Sequence, residues 1–307
     1  MYKKTALIIL AIVIAVVALG FVLERGRAPI SVPVSGKLRV VAAENFWGSI
    51  VSEIGGTRVD VTSVVSDPNA DPHEYESNTN TALAFANANY VIINGAGYDS
   101  WANKLIAANP SPNRKVLNVA TLLGKKNGDN PHFWYNPDYV NKAAAEIESD
   151  LISLDPSGKQ YYEAQYKIFQ DSISEYQGSI ALIKQKFAGT KIAATEDIFV
   201  YLANATGLDL ISPPAFMQAV AEGNDPPAQS LVEFENQLRS KEPAVLVYNE
   251  QTATPLTDNM KKLAAEERIP IVGITETVQP PDASFEEWMN VEIMELENAL
   301  NSNKLGQ

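Results

Sequence analysis

Two histidines, His73 and His132, and a complete lack of cysteine limit the side-chain chemistry available to this 307-residue chain. Without cysteine there is no disulfide, no thiolate nucleophile, no cysteine-ligated metal cluster and no cysteine-linked lipid anchor. Two histidines are too few for a three-histidine metal site within one chain. Any imidazole chemistry must use one or both of them, and carboxylates would have to complete a metal site.

Both histidines stand in the same local setting, directly after a proline and two positions before an aromatic residue. Proline fixes its own backbone angle and restricts the residue before it, so each imidazole is expected on a stiff loop. A stiff loop suits a ligand that must already be in place when its partner binds. A lone histidine in a loop is more often an ordinary hydrogen-bonding residue. Two matched settings that use every histidine of the chain favour metal ligation.

The two histidine motifs resemble the signatures of the cluster A-I, or zinc/manganese-type (ZnuA/TroA-like), substrate-binding proteins of metal ABC transporters. The motifs read Asp71-Pro72-His73-x-Tyr75 and Asn130-Pro131-His132-x-Trp134, with Gly95-Ala96-Gly97-Tyr98-x-x-Trp101 between them. The resemblance covers residues 38–302. It implies two α/β lobes, one long connecting helix, and a metal ion bound between the lobes.

The resemblance also implies two further ligands. The family's third ligand follows the first strand of the second lobe in a Thr-(His or Glu) context, which Glu196 matches, although Asp197 is a local rival. An ordinary carboxylate at a helix N-terminus is the plainer interpretation of Glu196. The fourth ligand is usually an aspartate after the last strand, and Glu276 stands there with one extra methylene. The predicted metal ligands are thus His73, His132, Glu196 and Glu276, with no catalytic residue. Tyr75, Trp134 and the strand-end Glu250 are the residues predicted to support these ligands.

The cargo predicted for such a site is a divalent transition metal, Mn²⁺ or Zn²⁺, with Fe²⁺ as a further candidate. Nitrogen and oxygen ligands suit all three ions, and the lack of a thiolate disfavours Cu(I). In the family that this chain resembles, members with a glutamate as the third ligand are more often of the manganese or iron type. The stretch 124–129 is short and without histidine, unlike the histidine-rich loop of many zinc-type members. The glutamate at the third position gives Mn²⁺ a slight lead as the physiological cargo, although the intrinsic affinity order favours Zn²⁺.

Short apolar runs alternate with helical stretches, which predicts parallel sheets covered by helices. Strands are predicted in two series: Leu38–Ala42, Val59–Val65, Tyr90–Ile93 and Lys115–Val119, then Lys191–Ala194, Leu208–Ile211, Ala244–Tyr248 and Ile269–Ile274. Between the series, apolar residues recur every three or four positions from Tyr162 to Phe187. This spacing predicts one long helix, with Asp155 as its N-cap and Pro156 at its first position. A coiled-coil arm would satisfy the same spacing.

The predicted fold is therefore α/β, with two lobes joined by a long backbone helix and an N-terminal transmembrane anchor. The predicted boundaries are a signal anchor or signal peptide at 1–27, a linker at 28–37, an N-terminal lobe at 38–155, the connecting helix at 156–187 and a C-terminal lobe at 188–307. Residues 5–23 carry no charge and are almost wholly aliphatic. As a helix they would be about 28 Å long, close to the thickness of a bilayer's hydrocarbon core.

The formal charge of −13 becomes −16 when residues 1–27 are set aside. A body this acidic is not expected to bind nucleic acid. The predicted function is extracytoplasmic capture of a divalent metal and its delivery to an ABC permease, without enzymatic turnover. The protein is expected to be monomeric and tethered through residues 5–23, with a cleaved secreted or periplasmic form as the alternative. A surface adhesin on the same fold and a metal-dependent hydrolase are the competing functions, and only the hydrolase would need an open coordination position.

Overall fold

The computed structural model describes residues 36–68, Pro72 and 75–306, with side chains described as far as residue 302. The predicted anchor (1–27), nearly all of the predicted linker (28–37) and His73 lie outside the described residues. Within the described part of the chain, no helix combines the length and apolar character needed to cross a bilayer.

The first half of the described chain forms a four-stranded parallel sheet covered by helices. Its strands are β1 (Leu38–Glu44), β2 (Val59–Val65), β3 (Tyr90–Ile93) and β4 (Lys115–Asn118). Its helices are α1 (Asn45–Gly55), α2 (Thr79–Asn87), α3 (Ser100–Ala108), α4 (Val119–Leu122) and α5 (Pro137–Leu154). The strand order is β2-β1-β3-β4, and every residue of β3 is buried. A continuous apolar strand of this kind fits a parallel sheet with helices on both faces.

A single long helix, α6 (Lys159–Phe187), connects the two sheet-forming halves of the chain. A 3₁₀ turn at Pro156–Gly158 leads into it. Of the eight apolar positions that predict the helix, seven are buried and Tyr166 is half-buried. Gly178 lies within the helix without interrupting it, as its modest propensity cost allows.

The second half repeats the architecture of the first. Its strands are β5 (Lys191–Ala194), β6 (Asp209–Leu210), β7 (Leu246–Asn249) and β8 (Ile271–Ile274), in the order β6-β5-β7-β8. Its helices are α7 (Val200–Thr206), α8 (Pro214–Ala221), α9 (Ala228–Arg239), α10 (Pro255–Glu266) and α11 (Phe285–Gly306). All pairings within both sheets are parallel.

The long helix is packed into the protein rather than projecting as an arm. It contacts α1 and α5 from the first half and α7 and α11 from the second. One continuous hydrophobic cluster contains strand residues of both sheets, for example Val40 and Val247, together with the buried stripe of α6. The predicted α/β class, the eight strands and the long packed helix are confirmed, with strand ends displaced by at most two residues.

Asp155 is the N-cap of the 3₁₀ turn that leads into the long helix, with Pro156 at the first position of that turn, but its carboxylate makes no capping hydrogen bond and α6 begins at Lys159. The carboxylate accepts hydrogen bonds from Nε of Arg58 at 2.7 Å, from Ser157 at 2.5 Å and from Tyr162 at 3.0 Å. Partial burial acts to raise the pKa of Asp155, but the bonds from Ser157, Arg58 and Tyr162 hold it below its usual value. The residue joins the start of β2 to the start of the long helix instead.

Candidate metal site

The predicted ligands of the second half follow strand ends, at the edge of the sheet where parallel α/β proteins bind their ligands. Glu196 lies two residues after β5, and Glu276 lies two residues after β8. His132 lies in the loop between α4 and α5 of the first half. All three side chains are completely buried.

Local structure on both sides holds the imidazole of His132 in place. Phe133–Tyr135 form a 3₁₀ turn, and the side chain of Asn136 caps α5 by accepting from the backbone N–H groups of Asp138 and Tyr139. The ring packs edge-on against Trp134, with 5.2 Å between ring centroids. Its Nδ1 atom lies 2.9 Å from Oδ1 of Asn130. The sequence pattern of proline and aromatic residues thus corresponds to a tightly held imidazole.

The predicted ligand Glu276 lies beside His132. The distance between Oε2 of Glu276 and Nε2 of the imidazole is 4.0 Å. Its Oε1 accepts a hydrogen bond from the amide of Asn249 at 2.6 Å. Its Oε2 accepts one from the hydroxyl of Tyr98, also at 2.6 Å. Because Tyr98 follows β3 and Asn249 ends β7, the carboxylate is oriented by both halves of the chain.

The loop that carries Glu276 is fixed to the first half on its other side as well. The amide of Asn45 donates to the carbonyl of Val278 at 3.1 Å and accepts from its backbone N–H at 2.9 Å. The backbone N–H of Glu276 donates to Oε1 of Gln251 at 2.7 Å. These contacts set the position of the carboxylate relative to the imidazole.

Glu196 and Asp197 occupy different surroundings. Oε1 of Glu196 accepts a hydrogen bond from Thr252 at 2.5 Å. Asp197 is partly exposed, and its Oδ1 lies 3.5 Å from Nδ1 of His132. The rival carboxylate therefore lies beside the ring nitrogen that faces Asn130, whereas Glu276 lies beside the other nitrogen.

Three of the four predicted ligands, His132, Glu196 and Glu276, lie within the described residues, and His73 does not. Among residues 36–68, 72 and 75–306, no three histidine, aspartate or glutamate side chains converge closely enough to hold a metal ion. The structure brings His132 and Glu276 together. Within the described residues, Glu196 does not join them in a three-ligand cluster. The four-ligand set stays a prediction.

A cavity of about 810 Å³ opens beside His132. Its walls come from both halves of the chain and include Tyr98, Asp129 and His132 on one side and Asp197, Met217 and Glu222 on the other. Three acidic side chains therefore face a cavity that reaches the imidazole. Such a lining attracts cations and disfavours anionic ligands.

Three residues hold the predicted ligands by hydrogen bonds, namely Tyr98, Asn249 and Thr252. Tyr98 belongs to the Gly95–Trp101 motif, which assigns it no role, and the other two carry no signal in the sequence. Of the supporting residues that the sequence suggests, Trp134 does contact His132. Tyr75 instead bonds to Thr81 and packs on Trp101. Glu250 is exposed and accepts from Tyr248, so the strand-end residue that reaches Glu276 is its neighbour Asn249. A shift of one residue reverses the face on which a strand side chain lies.

A buried carboxyl group, Glu292 of α11, joins the loops that carry His132 and Glu276. It accepts hydrogen bonds from the hydroxyl of Tyr135 at 2.6 Å and from the backbone N–H of Thr275 at 2.9 Å. Trp288 donates to it at 2.8 Å. Burial raises the pKa of Glu292 to about 8, and these hydrogen bonds only partly oppose the rise. At neutral pH the group is therefore expected to be largely protonated.

Replacing Glu292 with glutamine is expected to flatten the pH dependence of stability. The unfolded chain ionises this carboxyl near its ordinary pKa of 4.5, whereas the folded chain keeps its proton to about pH 8. The Glu292 carboxyl therefore makes its full contribution to the free energy of unfolding below about pH 4.5, and this contribution is lost as the pH rises to about 8. Urea unfolding at several pH values should show a shallower decline for Glu292→Gln. The exposed Glu250→Gln variant should keep the parent slope, and equal slopes for Glu292→Gln and the parent would contradict the assignment.

Two parallel sheets bridged by one long helix, with a buried histidine of the first half beside a buried carboxylate that follows a strand of the second, define a two-lobed binding-protein class. The profile of the family described as "Zinc-uptake complex component A periplasmic" matches residues 40–299. The chain belongs to this family, which confirms the resemblance seen in the sequence.

Relatives of the chain are named as metal transporter components. It is 27% identical over 253 residues to the metal ABC transporter substrate-binding lipoprotein FimA of Streptococcus parasanguinis, covering 77% of this chain and 79% of the relative. It is 28% identical over 254 residues to the manganese ABC transporter substrate-binding lipoprotein PsaA of Streptococcus anginosus, covering 76% of this chain and 78% of the relative.

Solved structures show the same fold. The substrate-binding protein FpvC from Pseudomonas aeruginosa, solved in complex with Mn²⁺, aligns with a TM-score of 0.71 at 18% identity, covering 87% of this chain and 99% of that one. A crystal structure of ZnuA aligns with a TM-score of 0.70 at 23% identity, covering 86% of this chain and 99% of that one.

Proposed function

We propose that this chain is an extracytoplasmic substrate-binding protein that captures a divalent transition metal and delivers it to an ABC permease. The observation that supports this most directly is the buried pair of His132 and Glu276, whose Nε2 and Oε2 atoms are 4.0 Å apart. The pair joins an imidazole of the first half to a carboxylate of the second. Membership of the zinc-uptake family and relatives named as manganese or metal transporter components agree with this function.

Capture by this site requires a small contraction. Two nitrogen or oxygen ligands bound tetrahedrally at about 2.0–2.1 Å from Zn²⁺ lie about 3.4 Å from each other. The His132 and Glu276 atoms, at 4.0 Å, would therefore approach by about 0.6 Å as the ion binds. Glu196 and His73 would complete the proposed ligand set. The long packed helix limits larger lobe rotations, so binding and release are expected to involve small shifts.

The proposed cargo is Mn²⁺ or Zn²⁺, with Fe²⁺ as a further candidate. Imidazole and carboxylate ligands suit these ions, and the acidic cavity beside the site attracts cations. Four protein ligands would leave little room for an activated water, so we propose binding without turnover. A monomer suffices for this function, because both proposed halves of the site belong to one chain.

Metal titration of the full-length protein in mild detergent tests the proposal. Mn²⁺, Zn²⁺ and, without oxygen, Fe²⁺ are expected to bind with a stoichiometry of one. Their affinities should exceed that for Mg²⁺ by at least about 100-fold, because Mg²⁺ prefers oxygen ligands and water to imidazole. Failure to bind any transition metal, or equal affinity for Mg²⁺, would rule the function out.

We further propose that residues 5–23 tether the protein to the membrane. The two named relatives are lipoproteins, whereas this chain has no cysteine to carry a lipid. After an alkaline carbonate wash of cell membranes, the full-length protein should stay in the pellet, because a spanning helix is not extracted by charge or pH. A variant that lacks residues 1–27 serves as the control and should be released. Release of the full-length protein would disprove the anchor.

A further inference from the structure

We propose that Asn130 is a positioning residue that sets the imidazole of His132 in its metal-binding tautomer and links it to the loop of Glu196. The inference deepens the proposed metal-binding function and rests on it for its consequences, but not for its geometry. One side-chain amide makes the connection, with hydrogen-bond partners on both halves of the chain.

The orientation of the Asn130 amide is determined by two backbone groups. Its Oδ1 accepts from the backbone N–H of His132 at 3.0 Å. Its Nδ2 donates to the backbone carbonyl of Asp197 at 2.7 Å. A backbone N–H can only donate and a carbonyl oxygen can only accept. Flipping the amide would therefore place its NH₂ group against the N–H of His132 and its oxygen against the carbonyl oxygen of Asp197. The oxygen of Asn130 must therefore lie on the side of His132.

This orientation dictates which imidazole nitrogen carries the proton. Oδ1 of Asn130 lies 2.9 Å from Nδ1 of His132 and can only accept, so Nδ1 must donate. In the neutral imidazole, Nε2 then has its lone pair available as a ligand. Nε2 is also the nitrogen nearest to Glu276, at 4.0 Å from its Oε2. The ligand-competent nitrogen and the carboxylate therefore face each other.

The same amide connects the imidazole to the second half of the chain. Asp197 directly follows the predicted ligand Glu196, so Nδ2 of Asn130 holds the backbone beside that carboxylate. The hydroxyl of Tyr201 adds a second link by donating to the carbonyl of Asn130 at 2.9 Å. Groups that hold ligating histidines in this way orient the ring and typically contribute 10–100-fold to metal affinity.

Two substitutions separate the two roles of the amide. Asn130→Ala removes both the acceptor for His132 and the donor to Asp197. Asn130→Asp keeps the acceptor and loses the donor. Asn109→Ala is a matched control, because its side chain makes one bond, to the carbonyl of Leu105 at 3.0 Å, at the end of α3.

Long-range ¹H–¹⁵N correlation spectra of full-length protein labelled at histidine report the tautomer directly. The chain has only two imidazoles, and the signals of His73 are identified by their loss in His73→Ala. The metal-free parent at pH 8 should show His132 protonated at Nδ1. Asn130→Asp and Asn109→Ala should keep that tautomer, whereas Asn130→Ala should show a mixture of both. An Nε2–H tautomer in the parent, or an unchanged one in Asn130→Ala, would overturn the proposal.

Titration with Mn²⁺ and Zn²⁺ measures the consequence. Asn130→Ala should weaken binding by about 10–100-fold, Asn130→Asp by less, and Asn109→Ala not at all. Parent-like affinity in Asn130→Ala would refute the positioning role. If the parent itself bound no metal, the proposed function would fail, while the tautomer spectra would still decide the role of Asn130. If Asn130→Ala did not fold, the parent spectrum and the Asn130→Asp variant would decide it.

Discussion

Replacing His132 with alanine is expected to weaken binding of Mn²⁺ and Zn²⁺ by more than about 100-fold. The loss of a direct ligand should exceed the 10–100-fold effect that is typical of groups that only support a ligand. A 100-fold change corresponds to about 2.7 kcal/mol of binding free energy. The measurement is a competitive titration against a chelating dye, with parent and variant in the same detergent. His73→Ala should show a loss of similar size if both imidazoles are ligands.

Stability must be separated from affinity in this experiment, because His132 is completely buried and packs against Trp134. Truncation of a buried ring leaves a cavity and lowers the free energy of unfolding. His132→Gln preserves much of the volume and removes the imidazole, so it should lose metal affinity with a smaller loss of metal-free stability. Parent-like affinity in either His132 variant would mean that this imidazole is not a ligand.

The second large effect is expected for Glu276→Gln. The variant keeps the shape of the side chain and loses its charge. Its amide oxygen can still accept from Asn249, and its amide nitrogen can donate to the hydroxyl of Tyr98, which both donates and accepts. The metal-free fold should therefore be preserved. Affinity for Mn²⁺ should fall by about 100-fold or more, and affinity for Zn²⁺ by less, because Mn²⁺ depends more on carboxylate ligands.

Glu250→Gln is the matched control for Glu276→Gln. It makes the same chemical change at the end of the neighbouring strand, on a side chain that is exposed. A general loss of negative charge would weaken both variants alike, whereas loss of a ligand affects Glu276→Gln alone. Retained Mn²⁺ affinity in Glu276→Gln, with losses in the histidine and Glu196→Ala variants, would mean that Glu276 is not the fourth ligand.

Strands and helices with a strong local sequence pattern could be predicted from the sequence. The strands of both sheets are short apolar runs between turn residues, and each forms within two residues of its predicted ends. The stripe from Tyr162 to Phe187 repeats at helical spacing, which predicts the helix and an apolar face. That this face packs against both halves, and not in a coiled-coil arm, is seen only in the folded chain. Whether the side chain of Asp155 caps the long helix could not be predicted from the local sequence. Arg58, nearly one hundred positions away, competes for its carboxylate, and only the folded chain brings the two together.

The residues of the candidate site also differ in whether local sequence could predict them. The paired histidine settings and the strand-end glutamates could be recognised because their types and neighbours are local in sequence. The contacts of Tyr98 and Asn249 with Glu276 could not be recognised, because each residue reaches the carboxylate from a different strand end. The choice between Glu250 and Asn249 depended on which face of β7 is buried, and the strand is too short for its sequence to decide that.

The sequence by itself determined the residue types of the proposed site: with two histidines and no cysteine, carboxylates must complete any metal shell. It also determined the α/β class and the family. Only the tertiary structure decided which carboxylate faces which ring nitrogen, with Glu276 beside Nε2 of His132 and Asp197 beside Nδ1. The physical reason is that long-range hydrogen bonds orient the groups beside the ring: the Asn130 amide bonds to a loop 67 residues away, and the Glu276 carboxylate to one 178 residues away. Local sequence patterns carry no information about such contacts.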